Sequence, residues 1–204
     1  MSFDIKAKEW DLDPQKVERA SILSDKLREF TVDKSLKNAI EFGCGTGLVS
    51  FFLKDDFSKI TLADTSFGMI DVLKKKISDA GISHFEPILI DENTNFQHSG
   101  FDITYSLLTL HHIQDLNKAF NQFYNLLKPG GYLCIADLVE EDGDFHNAED
   151  SKHVHHGFEK EKLINQLETI SFKFVDYQIF HHIERVVENG SVKNFPMFLL
   201  IVQK

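Results

Sequence analysis

Cysteine is nearly missing from this 204-residue chain, which holds only Cys44 and Cys134. One sits in a glycine-rich turn and the other in an apolar run, so they build neither a disulfide framework nor a zinc ligand set, and they suit a reducing compartment. Tryptophan occurs once, at Trp10. Long apolar runs are also missing. The longest strongly apolar stretch is Met197 to Val202, far short of the roughly 20 residues needed to cross a bilayer, and no membrane span is expected. Met1 to Trp10 contain no apolar run resembling a secretion signal, which predicts a cytoplasmic location. Basic residues are the scarcer charge, with 22 Lys+Arg against 32 Asp+Glu and a net charge of −10. That balance disfavours nucleic acid, whose phosphates need clustered cations. What the chain does have is apolar mass. A hydrophobic fraction of 42% with 19 Phe fills a sizeable core and argues for one ordinary folded domain.

Val17, Ala20, Leu23, Leu27 and Phe30 recur at steps of three and four after Pro14, which predicts an amphipathic helix over 14–30. Short apolar runs then follow at Asn38–Phe42, Lys59–Ala63, Phe85–Ile90, Asp102–Tyr105 and Gly131–Ala136. Helix-like segments at Leu48–Leu53, Phe67–Ala80 and Leu116–Leu127 lie between them. Strands alternating with helices imply parallel pairing through right-handed crossovers. Beyond an acidic, histidine-rich stretch come a helix at Glu159–Ile170 and two β-rich runs, Lys173–Val187 and Asn194–Val202. Asn189-Gly190 between those runs is a hairpin signal, so the sheet should end in an antiparallel pair. No internal repeat, low-complexity segment or interdomain linker is present.

Three glycines, Gly43, Gly45 and Gly47, stand directly after the first strand and before a helix, a setting in which ligands approach backbone closely. About 20 residues on, Asp64 ends the second run, where an acid can accept hydrogen bonds from ribose hydroxyls. Both nicotinamide dinucleotides and S-adenosylmethionine use such an acid. The dinucleotide fingerprint needs glycine at position 48, where this chain has Leu48.

The run Glu41-Phe-Gly-Cys-Gly-Thr-Gly47 resembles the first motif of the class I S-adenosylmethionine-dependent methyltransferases, E/D-x-G-x-G-x-G. Further matches extend along the chain. Asp64 falls on the family's ribose-binding acid and Asp91, in Leu89-Ile-Asp-Glu92, on the acid that contacts the adenine amine. Phe101–Ile113 is similar to the fourth-strand motif, and Leu127-Lys-Pro-Gly-Gly-Tyr-Leu133 to the turn into strand five. The resemblance implies an α/β doubly wound fold with a seven-stranded, mostly parallel sheet, an antiparallel last strand and an N-terminal helical cap. It implies one methyltransferase domain over 1–204, with the cap at 1–36, the cofactor core at 37–137, and an acceptor-side insertion, helix and hairpin at 138–204. It assigns S-adenosylmethionine to Glu41, Gly43, Cys44, Gly45, Gly47, Asp64, Thr65, Met69, Asp91, Glu92, Ser106 and Leu107. Met69 either covers one face of the adenine or packs as helix core, since methionine is a common gap-filler.

The implied reaction is an in-line methyl transfer to a small-molecule acceptor, driven largely by proximity and orientation. The alternatives are a nicotinamide-dependent oxidoreductase and a non-catalytic S-adenosylmethionine-binding sensor. Ser106-Leu-Leu-Thr109 replaces the N/D-P-P-Y/F tetrad of enzymes that methylate amines of nucleic-acid bases. The His111-His112 pair either supplies a general base, with His111 the candidate, or caps the next helix and lines the cofactor pocket. Asp137, His146, His155 and His156 fall in a segment, 137–161, that holds nine acids and two lysines. Three readings compete for it: an acceptor pocket with His155 or His156 as base; a divalent-metal site of His146, His155 and His156 with Asp142 or Asp144; or a solvated loop. No established ligand spacing is present, so no metal ligand is assigned. Trp10, Asp137 and His146 are expected on the acceptor side, Trp10 as part of an N-terminal lid or as a core anchor. The local acidity favours a neutral or cationic acceptor, and the oligomeric state stays open.

Overall fold

The computed structural model describes residues 3–91, 96, 99–146, 152 and 154–204, and these form fifteen helical and extended segments. Seven strands form one sheet of order β3-β2-β1-β4-β5-β7-β6. The chain divides into two compact units, Met1–Tyr105 and Ser106–Lys204.

In the first unit, a short helix α1 (Phe3–Lys6) and a 3-10 segment (Ala7–Leu12) lead into α2 (Pro14–Thr31). Asp13 caps α2 by accepting the Gln15 amide at 3.0 Å, and Pro14 occupies the first turn, where its missing N–H costs nothing. Ala20, Leu23, Ser24 and Leu27 form the buried stripe. Strand β1 (Asn38–Phe42) runs parallel to both β2 (Lys59–Asp64) and β4 (Phe101–Leu107), and β3 (Phe85–Leu89) runs parallel to β2. Helix α3 (Leu48–Phe52) follows β1, and α4 (Phe67–Asp79) follows β2. The Ser66 side chain caps α4 by accepting the Met69 amide at 3.2 Å. Parallel strands buried on both faces read as continuous apolar runs, which is why these were legible.

In the second unit, α5 (Leu116–Leu126) is capped by Asp115, which accepts the Lys118 amide at 2.9 Å, and it buries Ala119, Phe120, Phe123 and Leu126. Strand β5 (Leu127–Leu138) begins four residues before the expected Gly131. The Lys-Pro-Gly-Gly turn is extended there because Gly130 and Gly131 exchange backbone hydrogen bonds with Lys204 at 3.0 and 2.9 Å. Helix α6 (Lys160–Thr169) precedes the antiparallel pair β6 (Lys173–Val186) and β7 (Val192–Gln203), and β7 is also antiparallel to β5. The expected hairpin turn is present. Gly190 takes a positive φ of 81° and Asn189 accepts the Ser191 amide at 2.9 Å. No helix among the described residues is long and apolar enough to cross a membrane.

Candidate active site

The loop between β1 and α3 is drawn onto the end of β2. The amides of Gly43 and Cys44 donate to the Ala63 carbonyl at 2.8 and 3.1 Å, and the Gly47 amide closes the turn on Cys44 O at 2.8 Å. The glycines answer to different demands. A Cβ on Gly47 would lie 2.7 Å from Leu73 Cδ1 and 3.2 Å from Leu62 Cδ2, so this glycine permits α4 and β2 to close on the loop. At Gly45, whose φ is 53°, a Cβ would meet only Met69 Sδ and Trp10 Nε1, both at 3.9 Å. Gly45 is therefore a bare ledge of backbone, the feature that close approach of a ligand requires.

Asp64 is bound to that ledge. Its Oδ2 accepts the Gly45 amide at 2.7 Å and its Oδ1 accepts the Ser66 amide at 2.8 Å. Burial raises the Asp64 carboxyl above its ordinary value, opposed by these backbone N–H groups and reinforced by Asp4. Thr65 is exposed beside it. Met69 is buried at 1% exposure with its sulfur near Gly45, so it is a core residue and a wall of the loop at once. Asp91 stands exposed two residues past β3, and Glu92 lies outside the described residues.

Glu41 is sealed below the loop at 2% exposure. It accepts the Ser50 hydroxyl and, at 3.2 Å, the Ser50 amide, while Ser50 Oγ meets the Tyr105 hydroxyl at 2.8 Å. Burial lifts the Glu41 carboxyl to about 8, against the smaller opposing pull of the Ser50 donors. Burial, with Glu41 and Asp64 nearby, also pushes the Cys44 thiol well up, which keeps it un-ionised and unreactive as a nucleophile.

The N-terminal segment reaches this loop. Asp4 accepts from the Ser66 hydroxyl at 2.6 Å and the Gly68 amide at 2.7 Å, and a Cβ on Gly68 would strike the Asp4 backbone at 2.7 Å. Asp11 takes the Thr46 hydroxyl on one carboxylate oxygen and the Lys76 ammonium on the other, while Lys76 also donates to Thr46 O at 2.8 Å. Half-buried Trp10 lies between these two attachments, with Phe3 edge-on at 5.9 Å and the Lys16 ammonium 4.2 Å above its ring. Trp10 thus sits at the glycine loop as a strap residue.

In the second unit, Ser106 is buried and Leu107 partly so at the end of β4, and Leu108 takes a φ of 51°, uncommon for a non-glycine residue. Asp137 is wholly buried and faces inward. Its Oδ1 lies 2.6 Å from His111 Nδ1 and accepts the Leu138 amide, and its Oδ2 accepts the Leu110 and His111 amides at 2.9 and 3.3 Å. His111, 1% exposed, lies tilted against His112 with ring centroids 4.1 Å apart, and the His146 ring is 5.2 Å from His111 and 5.5 Å from His112. His155 is a brace: its amide donates to His111 O at 2.8 Å and its Nε2 meets Ile113 O at 2.9 Å. His155 and exposed His156 line an open groove of about 970 Å³ with Glu140, Asp142, Lys193 and Phe195.

The grouping of His146 with His155, His156 and an aspartate does not form. Asp142 and Asp144 both pair with Lys193, whose ammonium is pushed up to about 12 by them, and His146 turns to the His111-His112 pair instead. Residues 147–151 and 153 of that segment lie outside the described residues. Sequence reasoning missed Asp4, Asp11 and Lys76, because an isolated charge carries no signal of a partner 62 to 65 residues away. It also missed Ser50 and Tyr105. A polar residue in the apolar run Leu48–Leu53 opposite a motif glutamate was the available clue.

Residues 40–135 match the family model described as a methyltransferase domain. An uncharacterized methyltransferase of Schizosaccharomyces pombe is 29% identical over 153 residues, covering 68% of this chain and 54% of that protein. A sterol 4-C-methyltransferase of Caenorhabditis elegans is 30% identical over 122 residues, covering 58% of this chain and 36% of the relative. This chain thus spans about half of the first relative and about a third of the second. Among solved structures, that of a methyltransferase-like protein from Bacillus halodurans superposes with a TM-score of 0.75 at 18% identity, covering 89% of this chain and 98% of that one. With the sheet order, the strand-loop-helix glycine motif and the acid ending β2, these likenesses make residues 40–135 similar to a methyltransferase domain, on a fold shared with the Bacillus halodurans structure.

Proposed function

We propose that this protein transfers a methyl group from S-adenosylmethionine to a small-molecule acceptor. The observation that carries the reading is the bond between Gly45 and Asp64, which joins a side-chain-free ledge to a carboxylate. Bound there, the cofactor would supply an electrophilic methyl group on a sulfonium. The chain's own part is to hold and to orient. The backbone of Gly43, Cys44, Gly45 and Gly47 cradles the methionine half, and Glu41 acts from beneath by holding the loop through Ser50, so that the backbone positions the charged end. Asp64 receives the ribose hydroxyls, using the lone pairs left beside its two amide bonds. Thr65, Met69, Asp91, Glu92, Ser106 and Leu107 complete the proposed cofactor set.

No protein nucleophile is required, because the acceptor atom attacks the methyl carbon in line. Of the histidines considered as bases, His155 spends its ring on Ile113 O and His156 stands exposed in the groove. His111 is the one oriented by a buried carboxylate. A small acceptor agrees with the sterol activity named for the nematode relative. The acid count of 137–161 overstates the field of that segment, since Asp137 is held against His111 and Asp142 and Asp144 share Lys193. Neutral acceptors are the class to screen first, ahead of cationic ones.

Calorimetric titration with S-adenosylhomocysteine tests the cofactor, and an assay of S-adenosylhomocysteine released from S-adenosylmethionine across neutral and amine acceptors tests the transfer. Saturable heat and turnover on at least one acceptor are expected. A folded sample that gives no heat overturns the reading, and binding without turnover on any acceptor moves it to the sensor alternative.

A further inference from the structure

Within the second unit, one ring nitrogen each of His111, His112 and His146 lie within 4.8 Å of one another. Three imidazoles converging from two separate segments are a donor set for a late first-row divalent cation. We propose that they bind such a cation, with zinc(II) as the type, in a three-histidine site that leaves one coordination position open. The site does not require the methyl-transfer reading, and it would take His111 Nε2 for the metal in place of a role as base.

Four observations support the site beyond proximity. First, Asp137 Oδ1 holds His111 Nδ1 at 2.6 Å, which fixes the ring and leaves Nε2 to the metal. A carboxylate behind a ligating histidine is the usual outer support of such sites. Second, the segment carrying His146 is anchored: Glu141 accepts the Gly143 and Phe145 amides at 2.8 and 3.1 Å, and Arg185 donates to Phe145 O. Phe145 is itself packed among Leu138, Ile183, Val187, Phe195 and Met197. Third, Lys193 occupies Asp142 and Asp144, so the neighbouring carboxylates do not compete for the cation. Fourth, the closure needed is small. With zinc–nitrogen distances of about 2.0–2.1 Å, tetrahedral ligands sit about 3.4 Å apart, so no pair must draw in by more than about 1.4 Å. His112 is exposed on a short 3-10 turn, Leu110–His112. With His112 the exposed member of the three, the fourth position faces solvent on its side, where a water can enter.

The test uses tag-free protein stripped with a chelator and then reloaded with excess zinc(II), without cofactor or acceptor. Zinc retained after dialysis is counted by mass spectrometry, and cobalt(II) is added as a spectroscopic probe. One equivalent of zinc per chain and visible cobalt d–d bands are expected. His112→Ala and His146→Ala should each weaken zinc binding at least tenfold, Asp137→Asn should weaken it by roughly 10–100-fold, and His156→Ala should leave it unchanged. Circular dichroism checks that each variant is folded, and His112→Ala, at an exposed ring, serves if the others are not. Zinc below one tenth of an equivalent in the wild type, or equal zinc in wild type and His112→Ala, overturns the proposal.

Discussion

Asp64 accepts the backbone amide of Gly45 at 2.7 Å across nineteen positions of sequence. The same carboxylate therefore shapes the glycine loop and is offered to the ribose. Asp64→Ala should weaken S-adenosylhomocysteine binding at least tenfold and also lower stability by about 1–3 kcal/mol, because two charge-assisted bonds to amides are lost. Asp64→Asn keeps an acceptor for one amide and should fall between the two. Calorimetry and thermal melts read both quantities. An unchanged dissociation constant in Asp64→Ala removes this residue from the site.

Glu41 makes stability depend on pH. Below about pH 4.5 its carboxyl is protonated in folded and unfolded chains alike. Between about 4.5 and 8 the unfolded chain releases the proton while the folded chain keeps it, so stability falls as pH rises, and above about 8 the loss is constant. Its size at pH 7 is of order 3 kcal/mol. Glu41→Gln retains an oxygen for the Ser50 amide and cannot ionise. Its melting temperature should match wild type near pH 4.5 and exceed it increasingly toward pH 8. Parallel curves for the two proteins would contradict the burial argument.

Gly45→Ala and Gly47→Ala should separate binding from folding. Both place a Cβ on a left-handed backbone, at a cost of about 1–2 kcal/mol. At Gly47 the new atom also overlaps Leu73 at 2.7 Å, so that variant should lose several degrees more in melting temperature. At Gly45 the Cβ meets only ordinary contacts at 3.9 Å, and the main effect should fall on cofactor affinity.

The strap should loosen before the sheet does. Its ion pair between Asp11 and Lys76 is partly exposed, with side chains 31% and 25% accessible, and is worth about 1 kcal/mol or less. Asp11→Asn should therefore raise hydrogen exchange across residues 3–12 while leaving β1 and β2 protected. Equal loss of protection in β1 would mean that the strap is integral to the core.

The elements were legible in the sequence wherever a single period ran unbroken. β1 is found where Asn38–Phe42 predicted it, and α4 within one residue of its expected end, because apolar spacing and the Ser66 cap agree there. The start of β5 was not legible, since the bonds that extend Lys128–Gly131 come from the far C-terminus. The glycine loop and Asp64 could be read because their spacing along the chain is itself the signal. The inward turn of Asp137, the bracing role of His155 and the meeting of His146 with His111 could not, because each depends on how a loop returns over β5. The alternation of acids and histidines in 137–161 suggested ligands at adjacent positions, whereas the imidazoles that gather come from residues 34 and 35 positions apart.

One scarcity noted at the outset becomes an experimental asset. The chain has a single indole, and its Nε1 lies 3.9 Å from the point where a Cβ would stand on Gly45. The protein therefore carries a native optical reporter at the mouth of its proposed cofactor cradle. Emission from Trp10 should shift or quench as S-adenosylhomocysteine is added, so that loop occupancy and strap position can be followed in stopped flow without attaching any label.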